Sequence, residues 1–233
     1  MSGDSVRADE VAKFDALAAE WWDPAGPMAP LHAMNPLRVG WIARRLRSPG
    51  GLGLRLLDVG CGAGLAAEAL AERGFRVLGI DAAAEAIAVA RAHAAGRGLA
   101  LEYRRETAEG LGPERFGAVT ALEVIEHVAD PGDFMAVLAE RLAPGGMLFV
   151  STINRTARSF AVAKVGAEYV LGLLPRGTHE WRRFVRPAEL EGYGRAAGLR
   201  RLGTTGMVFD PVSRRWRMGD DLGVNYLMAF ARR

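Results

Sequence analysis

The chain has 233 residues and a mass of 25.0 kDa, the size of one ordinary domain. Half of its residues are hydrophobic and 24% are charged, with 29 Gly and 11 Pro, which excludes disordered, collagen-like and coiled-coil classes. Cys61 is the only cysteine, so no internal disulfide can form, and with four scattered histidines it lacks zinc-finger spacing. This usage suits a reducing cytosol.

The formal net charge is +3 but is unevenly placed: from Ser151 onward 15 Lys plus Arg face 7 Asp plus Glu, whereas residues 1–150 hold 15 against 20. Lys13 and Lys164 are the only lysines, so the basic excess is arginine. Such a surface meets nucleic acid, anionic lipid, an acidic partner or plain solvent. The amino terminus has charges throughout and no basic-then-apolar leader. The longest mostly apolar run, Ser159 to Pro175, is interrupted by Lys164 and Glu168 and is shorter than the roughly 20 residues of a spanning helix.

In chain order, a helix is expected over 9–20, a Pro/Gly-punctuated stretch over 23–36, and a second helix over 37–47, stopped by Ser48-Pro49-Gly50-Gly51. Short apolar runs then alternate with helical ones: strands at 54–59, 76–80, 99–104, 116–122 and 147–152, and helices at 65–73, 84–95 and 131–142. The last third predicts a helix near 187–197 and strands at 199–209 and 224–231. This order implies an α/β fold, a seven-stranded, mostly parallel sheet with helices on both faces. The expected organisation is one domain over 1–233, with a helical cap at 1–50 and an insert at 154–186 between the fifth and sixth strands.

Asp58-Val59-Gly60-Cys61-Gly62-Ala63-Gly64 follows the first strand and opens a helix. Glycines there let a ligand approach the backbone, and N–H groups at the helix start can face it. Asp81 ends the second strand, where a carboxylate can accept hydrogen bonds from both ribose hydroxyls of an adenosine group. A dinucleotide would fit the same geometry, but a carboxylate at Asp58 beside a pyrophosphate is unfavourable and beside a cationic ligand favourable. Neither lysine has a Tyr four residues before it, so short-chain dehydrogenase chemistry is disfavoured. The loop therefore resembles the first motif of S-adenosylmethionine-dependent methyltransferases, and the Pro144-Gly145-Gly146 turn before the fifth strand is similar to theirs.

The fourth strand runs into Glu123-Val124-Ile125-Glu126-His127-Val128, at the sheet edge where open α/β folds bind ligands. His127, ordinarily near pKa 6.5, suits the role of proton acceptor for a phenol, with Glu123 or Glu126 orienting the ring. Equally, Glu123, Glu126 and His127 together are a ligand set for Mg2+ or another divalent cation, which would lower the pKa of a chelated catechol. The turn is not the Asn/Asp-Pro-Pro-aromatic sequence of base-modifying enzymes, which disfavours nucleic acid.

Taken together, FDALAAEWWD (14–23), PLHAMNPLR (30–38), LLDVGCGAG (56–64), ALEVIEHV (121–128), STINRT (151–156), VGAEYVLGLLPRGTHEW (165–181) and VNY (224–226) resemble the ubiquinone biosynthesis O-methyltransferases, from about residue 10 to the end. The resemblance implies a class I, Rossmann-like methyltransferase fold, S-adenosylmethionine as methyl donor, and a polyprenyl-substituted hydroxyphenol or catechol and 3-demethylubiquinol as substrates. It implies cofactor contacts at Arg38, Gly60, Asp81 and Leu122, beside Asp58 and Gly62 of the loop, and a metal-binding or catalytic role for Glu123, Glu126 and His127, with His127 and Glu126 as the catalytic pair. A polyprenylated substrate resides in a bilayer, and the 154–186 insert mixes apolar residues with Arg155, Arg158, Lys164, Arg176, Arg182, Arg183 and Arg186. The expectation is a cytoplasmic protein that meets anionic lipids on the inner membrane face through this insert, alongside other quinone-biosynthesis enzymes.

Overall fold

The structure, a computed structural model, describes residues 7–46, 53–161, 181–210, 213 and 215–232. Helix α1 (Ala8–Leu17), continued by a 3-10 turn at Ala18–Glu20, and helix α2 (Ala29–Leu46) precede the sheet. There follow β1 (Arg55–Val59), α3 (Leu65–Ala71), β2 (Arg76–Asp81), α4 (Ala84–Ala94), β3 (Leu101–Arg105), β4 (Phe116–Leu122), α5 (Pro131–Glu140) and β5 (Leu142–Ile153). The one-turn α6 (Ala157–Ser159), α7 (Pro187–Ala196), β6 (Leu199–Asp210), β7 (Arg215–Gly219) and β8 (Asn225–Arg232) complete the described chain.

The sheet order is β3-β2-β1-β4-β5-β8-β6-β7. Pairings from β3 to β5 are parallel, and those joining β5, β8, β6 and β7 are antiparallel. Strand order reverses between β1 and β4, so their carboxyl ends flank a crevice into which ligands of such sheets bind. Successive strand residues point to opposite faces, and both faces are covered. Leu56, Ala118, Phe149, Leu227 and Ala229 pack with Val39, Ile42, Leu70 and Ile87 of α2, α3 and α4. Their strand neighbours Leu57, Val119, Leu148, Val150, Met228 and Phe230 pack with Phe134, Met135, Leu138 and Leu190 of α5 and α7.

Two expectations about the elements are corrected. The sheet has eight strands in place of seven, because Arg215-Trp216-Arg217-Met218-Gly219 forms an outer strand against β6. Its alternating arginines, exposed on an edge, carry little of the hydrophobic signal by which a strand is recognised. Helix α2 begins at Ala29, inside the stretch expected to be irregular, and runs through Pro36. A proline there forfeits a helical hydrogen bond. Pro36 lies on the exposed side, while Met34, Arg38, Val39, Trp41 and Ile42 are buried on the other, and their packing offsets the lost bond.

Phe149 is fully buried, and its ring meets Trp41 edge-on at 6.0 Å, joining β5 to α2. Truncation in Phe149→Ala is expected to lower stability by about 3–5 kcal/mol. Urea unfolding checks this through a lower midpoint at unchanged slope.

Candidate functional site

Gly60, Gly62 and Gly64 all have left-handed φ, at +67°, +53° and +94°. A Cβ at these positions would strike Val124, the Trp21 ring and the Tyr103 hydroxyl respectively, so the glycines are required by the protein's own packing as well as by any ligand. The loop is tied to the next strand. Gly60 N–H and Cys61 N–H donate to Ile80 O, and Gly62 N–H donates to Asp81 Oδ2 at 2.8 Å. Asp81 Oδ1 accepts from Ala83 N–H at 2.9 Å. Burial raises the Asp81 pKa, an effect that these backbone donors oppose. Each carboxylate oxygen keeps acceptor capacity for a ribose hydroxyl.

Against this loop lies a cavity of about 40 Å3 lined by Trp21, Arg38, Asp58, Gly60 and Leu122 among others. Asp58 and Arg38 are almost wholly buried. Asp58 Oδ1 accepts from the Thr120 hydroxyl at 2.6 Å, while Asp58 Oδ2, Arg38 Nε and Trp21 Nε1 are buried without a hydrogen-bond partner among the described residues. Burial raises the Asp58 carboxyl to about 6. Unpaired buried polar atoms of opposite charge mark a site that a ligand completes. An α-amino acid group fits them, its carboxylate meeting Arg38 and its ammonium meeting Asp58. These donors therefore fit the methionine end of S-adenosylmethionine, and Asp81 its ribose.

Sequence reading assigned nothing to the adjacent tryptophans that hold this loop. Trp21 covers Gly62, and Trp22 Nε1 donates to Ala63 O at 3.0 Å while its ring stacks on His93 at 3.5 Å. The Trp21 ring thus forms one wall of the cavity that Asp58, Arg38 and Gly60 line. The paired tryptophans were the one available signal, because large aromatics at the end of a polar helix need a surface to cover. A larger open groove of about 320 Å3, between Trp22, Glu68, His93 and Arg97, contains none of the acid–histidine residues.

At the end of β4, Glu123 is the only described non-glycine residue with left-handed φ, at +60°. Such strain persists where surrounding contacts impose it. Its N–H donates to Ser151 O at 3.0 Å, its Oε1 accepts from the Ser151 hydroxyl at 2.7 Å, and Arg38 Nη1 lies 3.8 Å from the same oxygen. Glu126, also buried, accepts from the Thr152 hydroxyl at 2.9 Å, and its pKa is raised by burial and then by the neighbouring Glu123 charge. His127 turns to the amino-terminal helix, where Nδ1 is 2.7 Å from Glu10 Oε2 and the Phe14 ring meets the imidazole edge-on at 5.2 Å. Burial lowers the His127 pKa, but the Glu10 hydrogen bond and the charges of Glu126, Glu10 and Glu123 outweigh it, so the net shift is upward.

The expected metal set Glu123, Glu126 and His127 is thus not assembled. Each carboxylate is turned to its own hydroxyl on β5 and the imidazole to α1, and among the described residues no group of three His, Cys, Asp or Glu is arranged to hold a metal ion. The present arrangement does not fit a divalent cation. Neither Glu123 nor Glu126 orients the imidazole, as had been expected; Glu10 does. That contact spans 117 residues and leaves no local signature. Of the 154–186 insert, residues 162–180 lie outside the described residues. At its margins Trp181 Nε1 donates to Thr156 O, and the Trp181 ring meets the 43% exposed Phe160. Among the described residues no helix is long and apolar enough to cross a membrane.

Comparisons with known proteins place the chain in a family. A family model described as "Methyltransferase domain" matches residues 31–202. Proteins named ubiquinone biosynthesis O-methyltransferase are similar over nearly the whole chain. That of Methylobacterium nodulans is 49% identical, covering 99% of this chain and 97% of its own, and that of Azorhizobium caulinodans is 50% identical, covering 96% and 93%. Among solved structures, the fold is similar to magnesium protoporphyrin IX methyltransferase from Synechocystis with bound S-adenosylhomocysteine, at a TM-score of 0.68, 19% identity and coverage of 97% and 100%. A possible histamine N-methyltransferase from Thermotoga maritima gives a TM-score of 0.68 at 17% identity, covering 96% and 100%. With a class I fold and these relatives, the chain is an S-adenosylmethionine-dependent methyltransferase and belongs to the ubiquinone biosynthesis O-methyltransferase family.

Proposed function

We propose that the enzyme methylates a ring hydroxyl of a polyprenyl-substituted hydroxyphenol or catechol, and of 3-demethylubiquinol, with His127 as the proton acceptor. The observation that supports this reading is that the turn after β4, which carries Glu123, Glu126 and His127, follows the strand paired with β1 of Asp58, and that Arg38 lies 3.8 Å from Glu123. Arg38 and Asp58 hold the amino-acid end of the donor, Asp81 its ribose, Gly60 and Gly62 allow its close approach, and Leu122 provides an apolar wall. The sulfonium of the bound donor supplies an activated methyl group, so no covalent enzyme intermediate is needed. His127 takes the hydroxyl proton as the ring oxygen forms its bond to the methyl carbon, and the electrons of the breaking carbon–sulfur bond stay on sulfur. The Glu10 hydrogen bond first, and then the nearby Glu126 carboxyl, favour a protonated imidazole during this step. The protein's main contribution is alignment of the two reactants and control of the phenol's proton.

The test is methyl transfer from labelled S-adenosylmethionine to a short-chain polyprenylcatechol, with Mg2+ or with chelator. Transfer indifferent to chelator is expected; transfer abolished by chelator would assign Glu123, Glu126 and His127 to a metal and overturn His127 as a free base. In the same assay Asp81→Ala is expected to weaken donor binding about tenfold or more, while His127→Ala leaves binding near normal and lowers kcat by about 100-fold. Equal loss of binding in both would refute that division.

The Asp58 carboxyl, raised to about 6, must be ionised to meet an ammonium group. Bound cation stabilises the ionised form, so its pKa falls in the complex and binding releases a proton below about pH 6. Donor affinity measured by calorimetry is therefore expected to fall as pH drops below about 6, up to about tenfold per pH unit, and to lose this dependence in Asp58→Asn.

The arginines bracketing the apolar run of the 154–186 insert support a peripheral contact with anionic lipid, where a polyprenylated substrate resides. Flotation with anionic liposomes is expected to exceed that with zwitterionic ones and to decline in the Arg182→Glu, Arg183→Glu variant; identical behaviour would remove the lipid contact.

A further inference from the structure

Among the described residues, the charged side chain that pairs with the His127 imidazole is Glu10, on the amino-terminal helix. It is 7% exposed, a position in which an ionised carboxylate is costly unless it is paired and hydrogen-bonded. Both of its oxygens are paired: Oε2 with His127 Nδ1 at 2.7 Å and Oε1 with Lys13 Nζ at 2.8 Å. With the Lys13 ammonium on one oxygen and the imidazole on the other, both within hydrogen-bond distance, the group is placed as an ionised carboxylate. An ionised carboxylate can only accept, so the hydrogen between them sits on Nδ1, and the lone pair of the neutral ring is then on Nε2. Among the described residues Nε2 makes no hydrogen bond. Phe14, one helical turn beyond Glu10 and so on the same face of α1, sets its ring edge-on to the imidazole with 85° between the planes. One helix face therefore fixes both the tautomer and the plane of the ring.

We propose that Glu10 is a positioning residue for methyl transfer: it holds His127 with Nδ1 protonated and Nε2 turned free to take the substrate proton, making the amino-terminal helix part of the catalytic apparatus. This rests on the reading of His127 as the base. A carboxylate behind a histidine does the same in other acid–base sites, where it orients the ring and favours its protonated form without itself accepting the proton. The other carboxylates near the imidazole are engaged elsewhere, Glu126 with Thr152 and Glu123 with Ser151, so Glu10 alone does this among the described residues.

The test uses the full-length chain with S-adenosylmethionine and a short-chain polyprenylcatechol, comparing Glu10→Gln, Glu10→Ala, His127→Ala and the double variant Glu10→Ala, His127→Ala. Glu10→Gln keeps the helix and an acceptor oxygen but loses the charge, so it guards against a helix that fails to form. The expected result is a loss of kcat of about tenfold for Glu10→Gln and up to about 100-fold for Glu10→Ala, with unchanged KM for S-adenosylmethionine. The double variant should be no slower than His127→Ala, since Glu10 acts only through that ring. Nitrogen-15 spectra of the neutral His127 ring should show its proton on Nδ1 in the unaltered protein and redistributed toward Nε2 in both Glu10 variants. Full kcat in Glu10→Gln and Glu10→Ala beside a slow His127→Ala, losses that multiply in the double variant, or an unmoved tautomer would each overturn the proposal. Full activity of His127→Ala would instead overturn the reading of His127 as base, and the nitrogen spectra would still report whether Glu10 holds the ring.

Discussion

The hydrogen bond from Gly62 N–H to Asp81 Oδ2 is the constraint on which the cofactor side of the structure depends. It ties the turn after β1 to the end of β2, and the turn can reach that carboxylate only through left-handed φ at Gly60, Gly62 and Gly64. Once the loop is held there, Gly64 opens α3, and Asp58 is left facing a cavity between the loop and α2. The same absence of side chains that permits the turn brings Trp21 down on Gly62 and Tyr103 on Gly64. Loop, strand ends and amino-terminal cover are therefore one packed unit.

Burial at this edge is electrostatically costly. Asp58, Arg38, Glu126 and Glu10 all carry ionisable groups at 7% exposure or less, and partial pairing leaves Asp58 Oδ2 and Arg38 Nε unsatisfied. Those costs fall at the carboxyl end of the sheet, while stability comes from the two apolar layers that sandwich it, with Leu56, Val119, Phe149 and Phe230 fully buried. The division is the usual one for a site grafted on a fold: the sheet supplies rigidity, and the poorly satisfied groups are retained where a charged ligand satisfies them. Glu123, bent into left-handed φ between Ser151 and Arg38, belongs to the same pattern.

The amino-terminal segment touches both the glycine loop and the turn after β4. Trp21 covers the glycine loop, while Glu10 and Phe14, about three and two turns earlier, reach the His127 imidazole.

Much of this was legible in the residues themselves. Strand and helix alternation from Leu54 to Thr152, the Asp58 to Gly64 loop and Asp81 at the end of β2 are local patterns, because period-two and period-3.6 apolar spacing and glycine turns are written over a few neighbouring residues. The resemblance to the quinone methyltransferases rested on such stretches and was confirmed at 49–50% identity over nearly the full chain. What stayed illegible depends on which distant elements meet. The eighth strand exists because β6 offers it an edge, and α2 runs through Pro36 because its other face is buried. The orphaned Asp58 and Arg38 atoms, the hydroxyls that draw Glu123 and Glu126 away from His127, and the Glu10 contact all join segments far apart in sequence. Side-chain types near a strand end list what chemistry is available, but the partner each one takes, and hence whether three ionisable groups make a metal site or a base held by a carboxylate, is decided only when packing brings the other elements to it.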